Sequence, residues 1–346
     1  ARPFHARFTF RKHSQGDPHM TQMGRYIAPD GKPGELGAHS VDHFSLFVPD
    51  LAEADRFYKS FGMDVQEESA KLVLRTTASK HVWGVIAEGS RKCLRYMSFG
   101  AFEEDLPRFK ERIEKQGIKL LDPPKDQEGG GLWFRDPDEN LVEIKVAEKC
   151  SPNQKMTFVN SSVPPGQRGA PMRSAVTMVR PKRMSHVLLF TTDVERTLRF
   201  YENIIGLRLS DRGGEAIAFM HGIHGSDHHM FAFALSPNPG FHHASWGVDS
   251  IHDVGMGAMQ MAESGYNAGW GLLRHVLGSN YSHYVRDPWG SYFEYTTDID
   301  YIPVDCEWEA GHYKPEDSIY LWGPSLPSDF IVNQEMPEPA MAQRKK

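Results

Sequence analysis

The stretch MSHVLLF at residues 184–190 sets the pattern from which the fold can be predicted. Its apolar run around a histidine predicts a β-strand, and a helix with helical spacing of apolar residues follows from Val194. The stretch VDHFSLFV at residues 41–48 has the same form, with a histidine again in third place, and a helix over 51–61 follows it. Gly62 ends that helix in the usual position. The same strand and helix therefore occur twice.

The ends of the two copies also match. YVRDP at residues 284–288 and FEY at 293–295 repeat the pattern of FRDP at 134–137 and VEI at 142–144. The offset between the copies grows only from 143 residues at the first strand to 151 at the last turn, so an internal duplication is the simplest interpretation. Between its ends, the first copy predicts strands at 71–75, 81–86 and 94–99 and a helix at about 103–116.

The duplication predicts an α+β chain with two domains of ordinary size. We expect an N-terminal extension over residues 1–36, a first domain over 37–148 and a second over 183–302. Residues 149–182 between them are rich in proline and glycine, which is typical of a linker. Residues 303–346 are predicted to form an aromatic segment that packs over the second domain and ends in a mobile tail.

The composition excludes several classes of protein. Of the 346 residues, 40% are hydrophobic and 24% charged, as in ordinary globular proteins. The net charge of −6 and the scattered basic residues argue against nucleic-acid binding. We find no apolar run near the roughly 20 residues of a membrane span and no secretory signal pattern, which predicts a cytoplasmic protein without a membrane partner. The three cysteines are scattered without a CxxC pair, so no disulfide framework is expected.

The histidines point to the second half of the chain as the site of chemistry. Most of the 17 histidines lie there. Glu294 stands between Phe293 and Tyr295 on an apolar strand, where an inward carboxylate is costly unless a metal or another cation pairs with it. The residues therefore favour a buried metal centre in the second domain.

Two copies of strand-helix-strand-strand-strand, with a histidine on the first strand and a glutamate on the last, resemble the vicinal oxygen chelate superfamily. Within it, the second half of the chain is similar to the type I extradiol ring-cleaving dioxygenases. The resemblance implies two tandem domains, each a pair of βαβββ modules or a duplicated module that forms a cup-shaped mixed sheet around the metal site. It covers residues 38 to 330 in architecture and is most specific between His186 and Glu294.

The resemblance also implies a metal and its ligands. Members of that family hold Fe(II), occasionally Mn(II), with two histidines and one glutamate, which match His186, His243 and Glu294. Two imidazoles and one carboxylate leave adjacent positions open on a divalent iron, where a catecholate and O2 can meet. The first domain offers His43, Tyr96 and Glu143 at the corresponding places. Because tyrosine replaces the middle histidine there, we expect that site to be vestigial.

Either member of the pair His242-His243 could be the second ligand. Successive side chains on a strand face opposite sides, so only one of the two is expected to point at the metal. Aligning the SWG at residues 245–247 with the SFG at 98–100 places His243 opposite Tyr96 and His242 opposite Arg95. This alignment favours His243 as the ligand.

Three further residues match the catalytic set of that family. His229 would be the acid/base histidine, Tyr284 would donate a hydrogen bond to the catecholate oxygen, and His275 would assist on the substrate side. The alternatives are that His228 takes the acid/base role in place of His229, that His224 and His228 are surface loop residues, and that Tyr284 only fills the core. Trp246, Trp270 and Trp289 are candidates for a substrate pocket or for the core.

The expected activity is Fe(II)-dependent extradiol cleavage of a catechol by O2 to a hydroxymuconic semialdehyde type of product. Homoprotocatechuate-cleaving members carry an arginine near the position of His275, whereas this chain has Trp270 five residues before it. That difference favours an aryl or alkyl catechol, similar to 2,3-dihydroxybiphenyl. Two alternatives are a 4-hydroxyphenylpyruvate dioxygenase and a ligand-sequestering protein of the same superfamily. By analogy with relatives, the chain is expected to form a homo-oligomer.

Overall fold

The protein is described here by a computed structural model, which covers residue 32 and residues 34–127, 129–159 and 163–335. Most of the predicted N-terminal extension and the predicted tail from residue 336 lie outside the described residues. Within the described part of the chain, no helix is long and apolar enough to cross a membrane.

The first half of the chain forms a seven-stranded mixed sheet in the order β2-β3-β4-β1-β5-β7-β6. The central strand β1 pairs parallel with β4 and antiparallel with β5, and β5 pairs parallel with β7. The sheet is thus two strand-helix-strand units side by side. Its elements are β1 (Ser40–Val48), α1 (Leu51–Ser60), β2 (Asp64–Glu68), β3 (Lys71–Thr76), β4 (Ser79–Glu88), β5 (Cys93–Ala101), α2 (Leu106–Lys115), β6 (Leu132–Arg135) and β7 (Leu141–Val146).

The second half forms a ten-stranded sheet in the order β18-β9-β10-β12-β8-β13-β16-β15-β14-β19. Seven of these strands repeat the order of the first sheet, and the others are added at the edges. Its elements are β8 (Arg183–Thr191), α3 (Val194–Phe200), β9 (Leu207–Gly213), β10 (Ile217–Gly222), β12 (Phe231–Leu235), β13 (Gly240–Gly247), α4 (Ile251–Glu263), β14 (Gly269–His275), β15 (Tyr281–Arg286), β16 (Tyr292–Thr297), β18 (Gly311–Tyr313) and β19 (Tyr320–Trp322), while β11 (Ser226–Asp227) and β17 (Tyr301–Ile302) pair separately.

Helix ends follow local side-chain chemistry. Asp50 and Asp193 cap α1 and α3 by accepting hydrogen bonds from main-chain amides three residues on. After α1 the chain turns at Gly62, whose φ of 96° is a left-handed conformation that glycine adopts at little cost. A single π-type turn, Tyr201–Ile205, continues α3. The helix predicted over 103–116 begins with a 3₁₀ turn, Glu103–Asp105, because Pro107 lies in the first turn of α2.

The duplication extends to the register of the strands. His43 lies opposite Ser98, which lies opposite Glu143, and His186 lies opposite Ser245 in the same way. Ser245 in turn lies opposite Glu294. Register shifts also recur at matching places, at Asp42 and Arg95 in the first sheet and at Ser185 and His242 in the second. The predicted α+β class and repeated architecture are therefore confirmed.

The two sheets share one hydrophobic core. Phe44 of β1 contacts the ring of Phe241 of β13 at 5.2 Å between centroids. Phe61, just after α1, stacks on Tyr295 of β16 at 3.8 Å. Trp246 is fully buried and stacks on Phe293, so the structure assigns this candidate pocket residue to the core. Such ring packing holds β13 and β16, which carry site residues, at fixed positions.

Candidate active site

Three adjacent central strands of the second sheet bring the predicted ligands together. His186 lies on β8, His243 on β13 and Glu294 on β16, and all three side chains are buried. The Nε2 atoms of the two histidines are 3.2 Å apart, and Oε2 of Glu294 lies 3.2 Å from His186 and 3.4 Å from His243. These three atoms form a nearly equilateral triangle. Because metal–nitrogen and metal–oxygen bonds are about 2 Å long, one ion could contact all three atoms.

The carboxylate of Glu294 is held at one oxygen and free at the other. Oε1 accepts hydrogen bonds from the Ser282 hydroxyl and, at 3.4 Å, from the Asn280 amide. Oε2 is buried and accepts no hydrogen bond among the described residues. An orphaned buried carboxylate oxygen is costly. Its position beside two imidazole nitrogens fits a divalent cation.

Burial and neighbouring side chains together set the charge of these groups. Although burial acts to raise the pKa of Glu294, its contacts with His186, His275 and Ser282 outweigh burial and hold that pKa below its usual value. Burial, together with the neighbouring His242, lowers the pKa of His243 well below its usual value. An ionised carboxylate beside a neutral imidazole is a donor set that suits a divalent transition-metal ion.

The pair His242-His243 departs from the expected alternation of faces. The register shift at His242 is a β-bulge, which re-aims a side chain locally. As a result both histidines line the same cavity, and their Nδ1 atoms are 2.6 Å apart. Simple alternation of faces does not predict that both line the cavity, but it agrees with a single histidine of the pair at the predicted metal position. Only His243 joins the triangle with His186 and Glu294.

His229 lies next to the three converging side chains. Its ring centroid is 4.1 Å from that of His186, and it lines the cavity. His228 points away from the cavity and contacts Oδ2 of Asp211 through Nε2 at 2.7 Å, while its Nδ1 lies 3.0 Å from Nδ1 of His229. His228 and His224 are both buried, so the alternative that they are surface loop residues is wrong.

Tyr284 and His275 form a pair on the other side of the cavity. The Tyr284 hydroxyl lies 2.9 Å from Nε2 of His275, whose Nδ1 lies 2.7 Å from the carbonyl oxygen of Ile319. Because a carbonyl oxygen only accepts hydrogen bonds, Nδ1 of His275 donates to it. Nε2 of a neutral His275 then accepts a hydrogen bond from the Tyr284 hydroxyl. Burial and the charge of Glu294 raise the pKa of Tyr284 well above its usual value, so its hydroxyl stays protonated.

The cavity above these groups is walled mainly by apolar side chains. Among the described residues its lining contains no lysine, arginine, aspartate or glutamate. Trp270, the second candidate tryptophan, lines it and stacks on Tyr284. The apolar wall consists of Leu188, Ile217, Phe219, Ala234, Leu277, Ile319, Phe330 and Ile331.

Known proteins share this sequence and fold. The chain matches the Glyoxalase/Bleomycin resistance protein/Dioxygenase superfamily over residues 40–144 and 183–295. It belongs to that superfamily. The chain is 48% identical over 311 residues to Metapyrocatechase 2 of Cupriavidus necator, covering 90% of this chain and 97% of that protein. It is 29% identical over 218 residues to an iron-dependent extradiol dioxygenase of Rhodococcus jostii (strain RHA1), covering 59% of this chain and 65% of that protein.

The fold agrees with a solved member of the group. An extradiol ring-cleaving dioxygenase from B. fuscum superposes with a TM-score of 0.69 at 20% identity, covering 88% of this chain and 85% of that one. The superfamily match and the 48% identical relative confirm the resemblance found in the sequence. The protein is an extradiol ring-cleaving dioxygenase of the superfamily.

The first sheet of this dioxygenase carries a different group at the equivalent place. Nε2 of His43 lies 3.2 Å from the hydroxyl of Tyr96, and Nδ1 contacts Asp42 at 2.7 Å. The Glu143 carboxylate accepts a hydrogen bond from the Ser98 hydroxyl at 2.6 Å. These side chains satisfy one another, which supports the hypothesis of a vestigial site.

A second cluster of ligand-type atoms lies at Asp42, His81 and Cys150. Sγ of Cys150 donates to the carbonyl oxygen of Val41 at 3.4 Å. The Asp42 carboxylate lies 3.2 Å from the ammonium group of Lys145 and 2.7 Å from Nδ1 of His43. Protein groups therefore already partner two of the three side chains of this cluster.

Sequence reasoning missed several supporting residues of the dioxygenase site. Asn280 and Ser282 hold Glu294, and Phe330 of the C-terminal segment contributes both a ring to the cavity and a carbonyl oxygen to His242. The only sequence signal for Ser282 is its spacing of two residues from Tyr284, which places both on one face of β15. No local pattern indicates the contact of Phe330, since 88 residues separate it from His242.

Proposed function

We propose that this protein is an Fe(II)-dependent dioxygenase, with Mn(II) as the alternative metal, that cleaves aryl- or alkyl-substituted catechols beside the diol. The product would be of the hydroxymuconic semialdehyde type. The observation that carries the proposal is the triangle of His186, His243 and Glu294 beneath an apolar cavity. The names of the two curated relatives, a metapyrocatechase and an iron-dependent extradiol dioxygenase, support it.

The donor set determines what the metal would contribute. His186, His243 and Glu294 would hold one divalent ion, which when bound supplies the Lewis acidity that ionises a catechol near neutral pH and a common place for catechol and O2. The net charge of the three ligands is −1, which leaves a divalent ion with excess positive charge to balance the catecholate.

His229 is the candidate acid/base group, through its Nε2 atom. Nδ1 of His229 is engaged with His228, which leaves Nε2 for the cavity. Burial and the adjacent His186 lower the pKa of His229 well below its usual value, so the resting imidazole is neutral, the state in which a general base starts. We infer that His229 takes a proton from the catechol at Nε2 and returns it later in the reaction.

Tyr284 is the candidate donor to the substrate oxygen. In the structure its proton is directed to His275. A catecholate oxygen placed in the cavity would offer that hydroxyl a charged acceptor, and charge-assisted hydrogen bonds are stronger than neutral ones. The hydrogen bond from Nδ1 of His275 to the carbonyl oxygen of Ile319 keeps the ring of His275 beside Tyr284 when the Tyr284 hydroxyl turns to the substrate.

The cavity wall determines the preferred ring substituent. A substituent carboxylate would lose its hydration and find no cationic side chain among the described lining residues. Arg274 is not among them, because its guanidinium lies over Tyr281 and donates to the carbonyl oxygen of Ser279. Apolar substituents instead meet the aliphatic and aromatic side chains of the cavity wall.

The test is anaerobic purification, loading with Fe(II) or Mn(II), and addition of catechols with and without O2. We expect a yellow product only with both metal and O2, and kcat/KM at least about tenfold higher for 2,3-dihydroxybiphenyl than for a carboxylate-bearing catechol, which corresponds to 1.4 kcal/mol. Equal rates for the two would refute the substituent preference. No product from any catechol, despite bound iron, would favour a 2-oxo acid substrate; failure to bind metal would favour ligand sequestration. Light scattering of the same sample tests the expected homo-oligomer.

A further inference from the structure

Hydrogen bonds behind His243 determine which of its nitrogens carries a proton. Nε2 of His242 lies 2.8 Å from the carbonyl oxygen of Phe330, which can only accept. Nε2 of His242 therefore carries the hydrogen. In a neutral His242, Nδ1 is then an acceptor, and the atom 2.6 Å away from it is Nδ1 of His243. His243 must donate at Nδ1, so its Nε2 is left with a free lone pair.

That lone pair is directed at the site. Nε2 of His243 is the atom that lies 3.2 Å from His186 and 3.4 Å from Glu294. If His242 carried a second proton, Nδ1 of His243 would have to accept, and the proton of a neutral His243 would lie on Nε2. There it would occupy the place of a metal. The carbonyl of Phe330 thus decides, through His242, whether His243 can be a ligand.

The carbonyl is held in place by a buried ion pair. Glu335, five residues after Phe330, accepts hydrogen bonds from Lys92 at 2.7 Å and from the amide of Phe241 at 3.1 Å through Oε1. Its Oε2 accepts from the amide of Leu94 at 3.2 Å. Lys92 and Glu335 are both buried. The end of the described chain is therefore fixed both to the first sheet and to the residue that precedes His242.

We propose that His242 is a positioning residue that fixes the tautomer of His243 against the carbonyl of Phe330, so that the C-terminal segment 326–335 contributes to metal affinity. The inference rests on the proposed metal centre and adds to it a support that lies outside the matched superfamily region. Residues behind a metal-ligating histidine orient the ring and fix its tautomer. A segment that covers the cavity therefore also prepares the ligand beneath it.

The first experiment measures the dissociation constants of Fe(II) and Mn(II) without O2, by competition with a chelator, for wild type and His242→Leu. We expect the constant to rise about 10–100-fold, as is typical when support of a metal ligand is lost. In His242→Asn, Oδ1 takes the place of Nδ1 as acceptor, so most of the affinity should return. Glu335→Gln should weaken binding in the same direction by less.

The matched control is His39→Leu, immediately before the first strand of the first sheet. His39 is also a fully buried histidine whose Nε2 lies near a carbonyl oxygen, that of Ala147 at 3.1 Å, and burial lowers its pKa to about 4, as it does for His242. The control variant should bind metal like wild type. Thermal unfolding of all variants checks that each is folded.

The outcomes separate the two proposals. A wild-type protein that binds neither metal would overturn the proposed metal centre itself. Wild-type affinity in folded His242→Leu would overturn only the positioning role. A measurement without any variant is the long-range ¹H–¹⁵N spectrum of metal-free protein labelled at histidine nitrogen. We expect His243 protonated at Nδ1 and His242 at Nε2, and the reverse pattern would also overturn the inference.

Discussion

The two sheets have the same strand register but opposite chemistry at the corresponding place. In the second sheet, one buried carboxylate oxygen of Glu294, beside His186 and His243, accepts no hydrogen bond from any residue that the structure describes. In the first sheet, His43 contacts Tyr96 and Glu143 accepts from Ser98. A backbone that can build a metal centre is therefore not sufficient. The difference is whether the side chains satisfy one another or require an ion.

The residue before the first-strand histidine shows the same difference. Asp42 precedes His43, whereas Ser185 precedes His186 and lies 3.3 Å from its Nδ1. Burial acts to raise the pKa of Asp42, but the hydrogen bond and charge of His43 outweigh it and lower that pKa to about 2. Asp42 thus places an ionised carboxylate 2.7 Å from Nδ1 of His43. A serine hydroxyl places no such charge beside His186.

The largest effect is expected from removing the orphaned carboxylate. Glu294→Gln keeps the shape of the side chain but loses the negative charge that neutralises a divalent ion. Loss of a residue that only supports a metal ligand weakens metal binding by up to about 100-fold, and we expect a larger loss here. The matched variant Glu143→Gln should bind metal like wild type. Competition with a chelator measures both. Equal losses would show that the two carboxylates do not differ in role.

Removal of the proposed acid/base group should affect turnover and not metal binding. His229→Phe is expected to lower kcat by about 10²–10⁴, the usual contribution of a positioned proton-transfer group. Metal content by mass spectrometry and turnover of 2,3-dihydroxybiphenyl check the prediction. His43→Phe changes a buried histidine of the first sheet, outside the proposed site, and this control should keep wild-type turnover. Wild-type rates in His229→Phe would remove His229 from the mechanism.

Restoring the missing histidine should make the two sheets more alike. Tyr96→His combined with Asp42→Ser gives the first sheet the residues of the second at both differing places. We expect a second bound metal ion per chain, with at least about tenfold weaker affinity, because Ser98 still engages Glu143 and the truncated ring leaves a cavity. Metal stoichiometry measures this. Tyr96→His alone is the control and should bind less of the second metal ion. If the double variant binds no second ion, Tyr96 and Asp42 do not explain why the first sheet lacks a metal centre.

The charge difference also predicts a pH dependence of stability. Because the pKa of Asp42 is depressed to about 2, its stabilisation is present above the unfolded value of 3.8 and is lost as pH falls through 2. Asp42→Asn should therefore lower the free energy of unfolding by about 2 kcal/mol at pH 7, and the difference should shrink between pH 4 and pH 2. Urea unfolding at several pH values checks it. A constant difference would mean that packing, not charge, is lost.

Much of the fold could be predicted because the duplication is local in the sequence. The histidine in third place of each first strand, the capping aspartates after it and the matching RDP turns recur at nearly constant spacing, and strand and helix periodicity convert spacing into position. For the same reason His186 and Glu294 could be placed on the first and last strands of one repeated unit. Their role as ligands stays a prediction that the geometry supports.

The tertiary structure alone decided how the site is completed. The bulge at His242 lets two adjacent histidines line the same cavity, which simple alternation does not predict. The bulge depends on the pairing of β13 with β8, so the local sequence does not reveal it. The carbonyl of Phe330 reaches His242 from 88 residues away, and Lys92 of the first half anchors Glu335 near the end of the described chain. The sequence by itself determined which residue types occupy the repeated strands. Contacts between distant segments determined which nitrogen and oxygen atoms of those residues face the site and which side chains form the cavity wall. Burial and hydrogen-bond partners arise only when the chain is folded.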